Sequence, residues 1–271
     1  MHLKPFLKWA GGKQRILKFI LPHFTKGKRL IEPFVGSGAV FLNSDYSSYL
    51  LADNNADLIH LYQILQKEGE KFIDYGKKFF VAENNQEKQF YKLRELFNQT
   101  TDQRLKAALF IYLNRHGYNG LCRYNLGGLF NVPFGRYRQP IFPAHAMRNF
   151  FLKAKTAQFQ QKDFVATLRQ ARKNDVVYCD PPYVPLSATA NFTTYSGCRF
   201  GEQQQLQLAQ EAERLAQKGA LVIISNHYTD FTLKIYAKAQ IISFMAARAI
   251  SSDIANRNSV KELLAVFGDN F

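Results

Sequence analysis

Asp175-Val176-Val177-Tyr178-Cys179-Asp180-Pro181-Pro182-Tyr183 runs an apolar, β-branched and aromatic stretch directly into a polar tetrapeptide stiffened by two prolines. The apolar part is too short for a helix and marks a buried strand. In open α/β sheets ligands bind just outside the carboxyl ends of the strands, so Asp180 to Tyr183 stand where a site is expected. The prolines lack an amide hydrogen and have fixed φ, which stiffens the turn and leaves its carbonyls available as acceptors. An exocyclic amine on a planar base offers two protons, and a carboxylate plus a proline carbonyl can accept both, steering nitrogen electron density toward an electrophile. Asp180, Pro181, Pro182 and Tyr183 are therefore the catalytic candidates, with Tyr183 stacking on the base. As a bare tetrapeptide the motif fits a plain strand-ending turn equally well, so its surroundings must decide.

Working outward, further strands are expected at 29–34, 48–53, 156–161, 220–225, 240–247 and 262–267, making seven with 175–179. Helical spacing at 14–21, 163–171 and 202–218 alternates with them, which argues for an α/β fold with a mostly parallel, doubly wound seven-stranded sheet. The last two strands have only the loop 251–260 between them and read as an antiparallel hairpin at the sheet edge. From Ala56 to about Arg115 the pattern is helix after helix, with Leu58, Leu61, Tyr62 and Leu65, then Phe90, Leu93 and Phe97, then Leu105, Ala108, Leu109 and Tyr112. No strand interrupts them. The expectation is a catalytic domain of 1–56 and 144–271 carrying a mainly helical insertion at 57–143.

Glu32-Pro33-Phe34-Val35-Gly36-Ser37-Gly38 follows an early strand and precedes a helical start, as a turn must if backbone is to approach a cofactor closely. Phe34, Gly36 and Gly38 are candidates to line that cofactor. The third Gly of a dinucleotide fingerprint is missing, but an adenosyl amino acid carries no pyrophosphate and does not need it. Asp53 ends the next strand and suits either the two hydroxyls of a ribose or the cap of the following helix. Phe6-Leu7-Lys8-Trp9-Ala10-Gly11-Gly12-Lys13 lacks the earlier Gly and the following hydroxyl of a phosphate loop, since Gln14 comes next. Lys13 can instead pair with the carboxylate of an amino-acid-like cofactor. Trp9, the only tryptophan, suits either that site or the core.

Thirty-six Lys and Arg against 21 Asp and Glu leave a net charge of +15 in 271 residues, which calls for an anionic partner. The charge is uneven. Between Gln103 and Lys162 there is no acidic residue, while Arg104, Lys106, Arg115, Arg123, Arg136, Arg138, Arg148, Lys153, Lys155 and Lys162 all lie there. The stretch 113–138 adds Asn, Tyr and Gly to Arg, the residues that read base edges and wedge between base steps, in what looks like a long irregular loop. No apolar run is long enough to span a membrane and the stretch Met1 to Phe6 lacks the apolar run and small-residue cleavage site of a signal peptide, so a cytoplasmic protein is expected. Cys122, Cys179 and Cys198 are odd in number with no C-x-x-C pair, which favours free thiols, no metal site and no cysteine nucleophile. A monomer is the expected state.

With these blocks in hand, the chain resembles the Dam family of DNA adenine-N6 methyltransferases. The likeness runs through FLKWAGGK, EPFVGSGAVFLN, LNRHGYNGLCRYN, FNVPFGRY, YCDPPYVPLSATANFTTYS and the Ser225-Asn226-His227 element, in the family's order. It implies a class I methyltransferase sheet, S-adenosylmethionine as methyl donor, and methylation of an adenine flipped out of double-stranded GATC. Motif by motif it places cofactor contacts on Trp9, Lys13, Asp53 and Asp180 and catalysis on Asp180, Pro181 and Tyr183. It places DNA contacts on Lys8, Tyr118, Leu121, Arg123 and Pro133, with Arg123 reading guanine, and Asn119 and Arg136 fall in the same blocks. The loop 251–258 departs from the family in lacking a Gly-rich, strongly basic character, and Arg138-Gln139 stands where two lysines are usual, so weaker phosphate contacts are expected there. Cytosine N4, RNA or an amide nitrogen as methyl acceptor, or an inactive DNA-binding relative, are the alternatives.

Overall fold

The computed structural model describes residues 2–184, 200–247 and 259–268. In chain order the elements are α1 (Leu17–Ile20), β1 (Arg29–Glu32), α2 (Ala39–Asn43), β2 (Tyr49–Asp53), α3 (Ala56–Glu68), α4 (Glu70–Lys77), α5 (Glu87–Gln99), α6 (Gln103–His116), α7 (Ala144–Ala154), β3 (Ala157–Gln161), α8 (Phe164–Leu168), β4 (Asp175–Cys179), α9 (Glu202–Gln217), β5 (Leu221–His227), α10 (Asp230–Ile235), β6 (Gln240–Ala247) and β7 (Ser259–Phe267). All seven expected strands are present in one sheet of order β3-β2-β1-β4-β5-β7-β6. The first five are parallel, and β7 runs antiparallel between β5 and the edge strand β6. This is the doubly wound α/β sheet the sequence led us to expect, with the hairpin at one edge.

Side chains in a strand alternate faces, and here the alternation sorts residues into two buried layers. Leu30, Val176, Tyr178, Leu221 and Ile223 face one core; Ile31, Val177, Cys179, Val222 and Ile224 face the other. The first core also takes in Leu58 and Tyr62 of α3, Phe90 and Phe97 of α5 and Phe110 of α6. The helical block is thus packed continuously onto one sheet face. A recognition unit at 57–143 is proposed on functional grounds, since α3 also covers β2 and β3.

Chain order reverses between β1 and β4, which lie side by side with Leu30 opposite Val176. That switch point opens a crevice at the carboxyl ends of the strands. Glu32, Asp53 and Asp180 come from the ends of β1, β2 and β4 and converge there. The helix expected at 14–21 is broken into a tight turn at Lys13–Arg15, the single turn of α1 and another tight turn at Leu21–His23. Pro22 has no amide hydrogen to continue a helix and its ring opposes the preceding turn. The helix expected at 163–171 shortens to α8, whose start is capped by Asp163 accepting from Ala166 N at 3.0 Å. Among the described residues no helix is long and apolar enough to cross a membrane.

Candidate active site

Asp180 follows β4 directly, and its carboxylate is held on both sides. Lys13 Nζ lies 2.7 Å from Asp180 Oδ1, and Ser225 Oγ of β5 donates to the same oxygen at 3.3 Å. Burial pushes the Asp180 carboxyl above its ordinary range, while Lys13 and Ser225 pull it back. Lys13 is itself buried; it donates to Gly11 O at 2.7 Å, and its ammonium sits 4.4 Å from the centre of the Tyr183 ring. The side chain read as a partner for a cofactor carboxylate is thus engaged with the catalytic corner.

The turn is held through Pro182 and Val184. Gln205 of α9 donates from Nε2 to Pro182 O at 2.8 Å, and its Oε1 accepts from Asn226 Nδ2 at 3.1 Å. Asn226, fully buried, also takes Val184 N at 3.2 Å and donates to Tyr236 OH at 3.2 Å, while His227 Nδ1 meets Val184 O at 2.7 Å. The Pro182 carbonyl thus already accepts one bond from within the protein. Tyr183 is pinned by its hydroxyl, which donates to Glu262 Oε2 of β7 at 3.1 Å, and by the His227 ring set edge-on at 4.8 Å.

A second cluster forms around the glycine turn. Gly36 has φ 47°, a left-handed value that favours Gly, and a Cβ there would fall 2.7 Å from Trp9 Nε1. Gly36 N donates to Asp53 Oδ2 at 3.1 Å and Tyr62 OH donates to Gly36 O at 2.6 Å. Gly38, at φ 72°, starts α2. Asp53 Oδ1 accepts from Asn55 N at 3.0 Å, and Asn55, not Asp53, caps α3 by accepting from Leu58 N. Asp53 is therefore no helix cap but a carboxylate braced by backbone amides at a strand end. Burial raises its carboxyl and those amides oppose the rise. Phe34 stacks on Phe164 at 5.6 Å and meets Phe200 edge-on, so its ring belongs to the second core.

Four residues at this site escaped the sequence reading. Tyr62 and Glu262 are two, Gln205 is a third, and the fourth is Glu32. Glu32 is buried with no hydrogen-bond partner for Oε1 among the described residues. Burial, aided by the charge of Asp180, holds its carboxyl well above the usual range. Gln205 had a signal: it sits on the buried stripe of α9 with Leu208, Ala209, Ala212 and Leu215, where a glutamine needs a reason.

The stretch 113–138 is less irregular than its composition suggests. Gly117 pairs with Phe134 and Tyr124 with Phe130, giving two antiparallel rungs, and Gly128 at φ 74° turns the hairpin tip. Buried Asn114 ties this region to the N-terminal segment, exchanging bonds with Lys8 N and Lys8 O and donating to Gly120 O. Lys8 Nζ lies 4.3 Å over the Tyr137 ring, and Tyr137 OH accepts from Asn119 N. Tyr118 is 52% exposed, and its amide donates to the carbonyl of exposed Pro133. Lys8, Tyr118, Asn119 and Pro133 are thus brought together. Leu121 is half-buried. Arg123 donates from Nε to Asn131 Oδ1 at 2.8 Å, and Tyr124 OH donates to Asp57 Oδ2 at 2.7 Å. Arg136 stands apart, 3.6 Å from Glu87. The acid-free window is not unopposed: Arg104, Lys106, Arg136 and Arg148 pair with Glu68, Asp57, Glu87 and Glu70 of the neighbouring helices.

No group of three or more His, Cys, Asp or Glu that could hold a metal occurs among the described residues. Cys122 and Cys179 are free, and burial pushes the Cys122 thiol up to about 12, far from a nucleophilic thiolate. Cys198, the 185–199 part of the motif after Tyr183, and the loop 251–258 lie outside the described residues.

A carboxylate and a proline carbonyl at the end of β4, beside a glycine turn and a strand-end carboxylate at the switch point, define a methyltransferase for planar amines. Residues 9–250 match the family of D12 class N6 adenine-specific DNA methyltransferases. The chain is 49% identical to the DNA adenine methylase of Salmonella typhi over 97% of its own length and 95% of the relative's. It is 48% identical to that of Escherichia coli (strain K12) over 97% and 95%, and 47% identical to that of Vibrio cholerae over 97% and 96%. The chain belongs to this family of adenine-specific DNA methyltransferases, the one its motifs resemble.

Proposed function

We propose that the chain, acting as a monomer, methylates N6 of an adenine flipped out of GATC in duplex DNA, with S-adenosylmethionine as donor. The observation that carries this is the buried Asp180 carboxylate, held by Lys13 and Ser225 at the end of β4 and followed directly by two prolines, one of whose carbonyls accepts from Gln205. A carboxylate and a neighbouring proline carbonyl suit the two protons of one amine. The residues present fit the donor: a Cβ at Gly36 would fill space against Trp9, and Asp53 offers a carboxylate at a strand end, as a ribose requires. S-adenosylmethionine supplies an electrophilic methyl group.

The protein's own residues do the rest. Basic side chains around 113–138 dock on phosphates, and Arg123 tests a guanine edge. Turning the adenine out of the stack costs a few kcal/mol, which the Tyr183 ring helps offset by stacking. Lys13 and Ser225 oppose the burial that raises the Asp180 carboxyl, and Asp180 accepts from the amine together with Pro181 O. The GATC context rests on the resemblance through 113–138 and on Arg123.

The test is to incubate pure protein with DNA and S-adenosylmethionine and map N6-methyladenine. Methylation confined to GATC is expected, and methylation at another site or on cytosine would reject the reading. Asp180→Ala should abolish transfer while duplex binding persists.

A further inference from the structure

The return strand of the recognition hairpin is fastened to α5 by side chains alone. Asn98 Oδ1 accepts from Phe130 N at 2.9 Å, and Asn98 Nδ2 donates to Phe130 O at 3.1 Å. A single asparagine here copies one rung of a sheet. One turn earlier, Arg94 Nη1 donates to Val132 O at 3.0 Å. The residue between these anchor points is Asn131. Its side-chain oxygen takes Arg123 Nε, its carbonyl takes Arg123 Nη2 at 3.1 Å, and its amide donates to Arg123 O at 3.0 Å. The Nε edge of the guanidinium is thereby used inside the hairpin. Nη1 and the second hydrogen of Nη2 are the donors that remain for a pair of acceptors, the pattern of a bidentate guanine contact.

We propose that Asn98 is a positioning residue for target discrimination, holding 130–132 at the height from which Asn131 presents Arg123 end-on. The proposal rests on the reading of Arg123 as the base reader. Phe130 is buried against Phe97 and Tyr124, so apolar packing fixes the strand's depth. It does not fix sliding along the strand direction, and the paired bonds of Asn98 do. A displacement of about 1 Å at such a site is enough to cost a large factor in function.

The test compares kcat/KM on a GATC duplex with kcat/KM on a duplex whose first G·C pair is replaced by A·T. Wild type, Asn98→Ala, Asn98→Asp, Arg123→Ala and the Asn98→Ala/Arg123→Ala double variant are measured, with melting temperature and cofactor affinity alongside. Asn98→Ala should lower the discrimination ratio by about tenfold. Asn98→Asp, which can still accept from Phe130 N but cannot donate to Phe130 O, should fall between. The double variant should discriminate no worse than Arg123→Ala alone, because the asparagine acts through the arginine. A wild-type ratio in Asn98→Ala, or a double variant worse than Arg123→Ala, overturns the proposal. If Asn98→Ala does not fold, Asn98→Asp decides by the same comparison. Should Arg123→Ala keep the wild-type ratio, the base-reader assignment itself falls, whatever Asn98 does.

Discussion

Replacing Gly36 by alanine perturbs the site in a way that can be worked out before it is measured. The new Cβ would lie 2.7 Å from Trp9 Nε1 and 3.0 Å from Trp9 Cδ1, where ordinary contact is about 3.5–4.0 Å, so the indole must retreat by roughly 1 Å. Backbone at φ 47° costs an L side chain about 1–2 kcal/mol, and overfilling a packed site about 1–3 kcal/mol more. The middle of both ranges adds to about 3.5 kcal/mol, or roughly 7–14 °C of melting temperature at about 2–4 °C per kcal/mol. Trp9 is the only tryptophan, so intrinsic fluorescence reports on this one contact during unfolding and during cofactor titration. A lower melting temperature, a shifted emission maximum and weaker cofactor binding are expected together. Gly128→Ala separates the two contributions, since Gly128 has φ 74° but nothing within 4 Å of its would-be Cβ. If Gly36→Ala costs no more than Gly128→Ala and leaves Trp9 emission unchanged, the close approach of backbone and indole has been misjudged.

Gln205→Ala frees the Pro182 carbonyl and one side of Asn226, so kcat should fall about ten- to a hundredfold with DNA and cofactor affinity little changed; a loss confined to KM would contradict the positioning role. Lys13→Met removes the cation that opposes the burial of Asp180, so its carboxyl rises further and the acid limb of the kcat profile should move to higher pH; an unmoved or more acidic limb would show that another group sets it. Glu32 has a raised carboxyl, so its contribution to stability is present below its unfolded pKa and is lost as pH rises through the folded value. Glu32→Gln should therefore melt above wild type in alkaline solution, with the gap closing toward acid, and a gap that widens toward acid would reverse the argument.

The strands were legible because each is a short apolar run ended by polar or glycine residues, and the register then follows from burial on both faces. Only their ends moved: β7 begins at Ser259 rather than Glu262, since Ser259, Val260 and Lys261 pair with β6 although one apolar residue between two polar ones leaves no apolar run. Pattern could not show that Tyr62, one of the apolar stripe of α3, spends its hydroxyl on Gly36, because periodicity reports which face is buried and says nothing of what a hydroxyl at the end of a ring touches. Glu262 stayed invisible for a related reason, since its partner Tyr183 lies 79 residues away in the chain. Lys13 was found but given too simple a part. Its spacing from Trp9 indicates a turn opening toward the site, whereas the ion pair with Asp180 depends on β1 and β4 lying side by side. The long loop dissolved into a hairpin because its two rungs are single residue pairs, too brief to leave an alternating pattern.

The bond from Tyr124 to Asp57 has a bearing on how such enzymes can be rebuilt. Asp57 lies four residues beyond Asp53, so the tip-side rung of the 113–138 hairpin, at Tyr124, is fastened to the very segment that carries the strand-end carboxylate. A transplant that exchanges 113–138 between relatives while leaving 53–57 behind would seat a foreign hairpin on a mismatched footing. Chimeras meant to change the target sequence should carry Asp57, Lys106 and Tyr124 across as one graft.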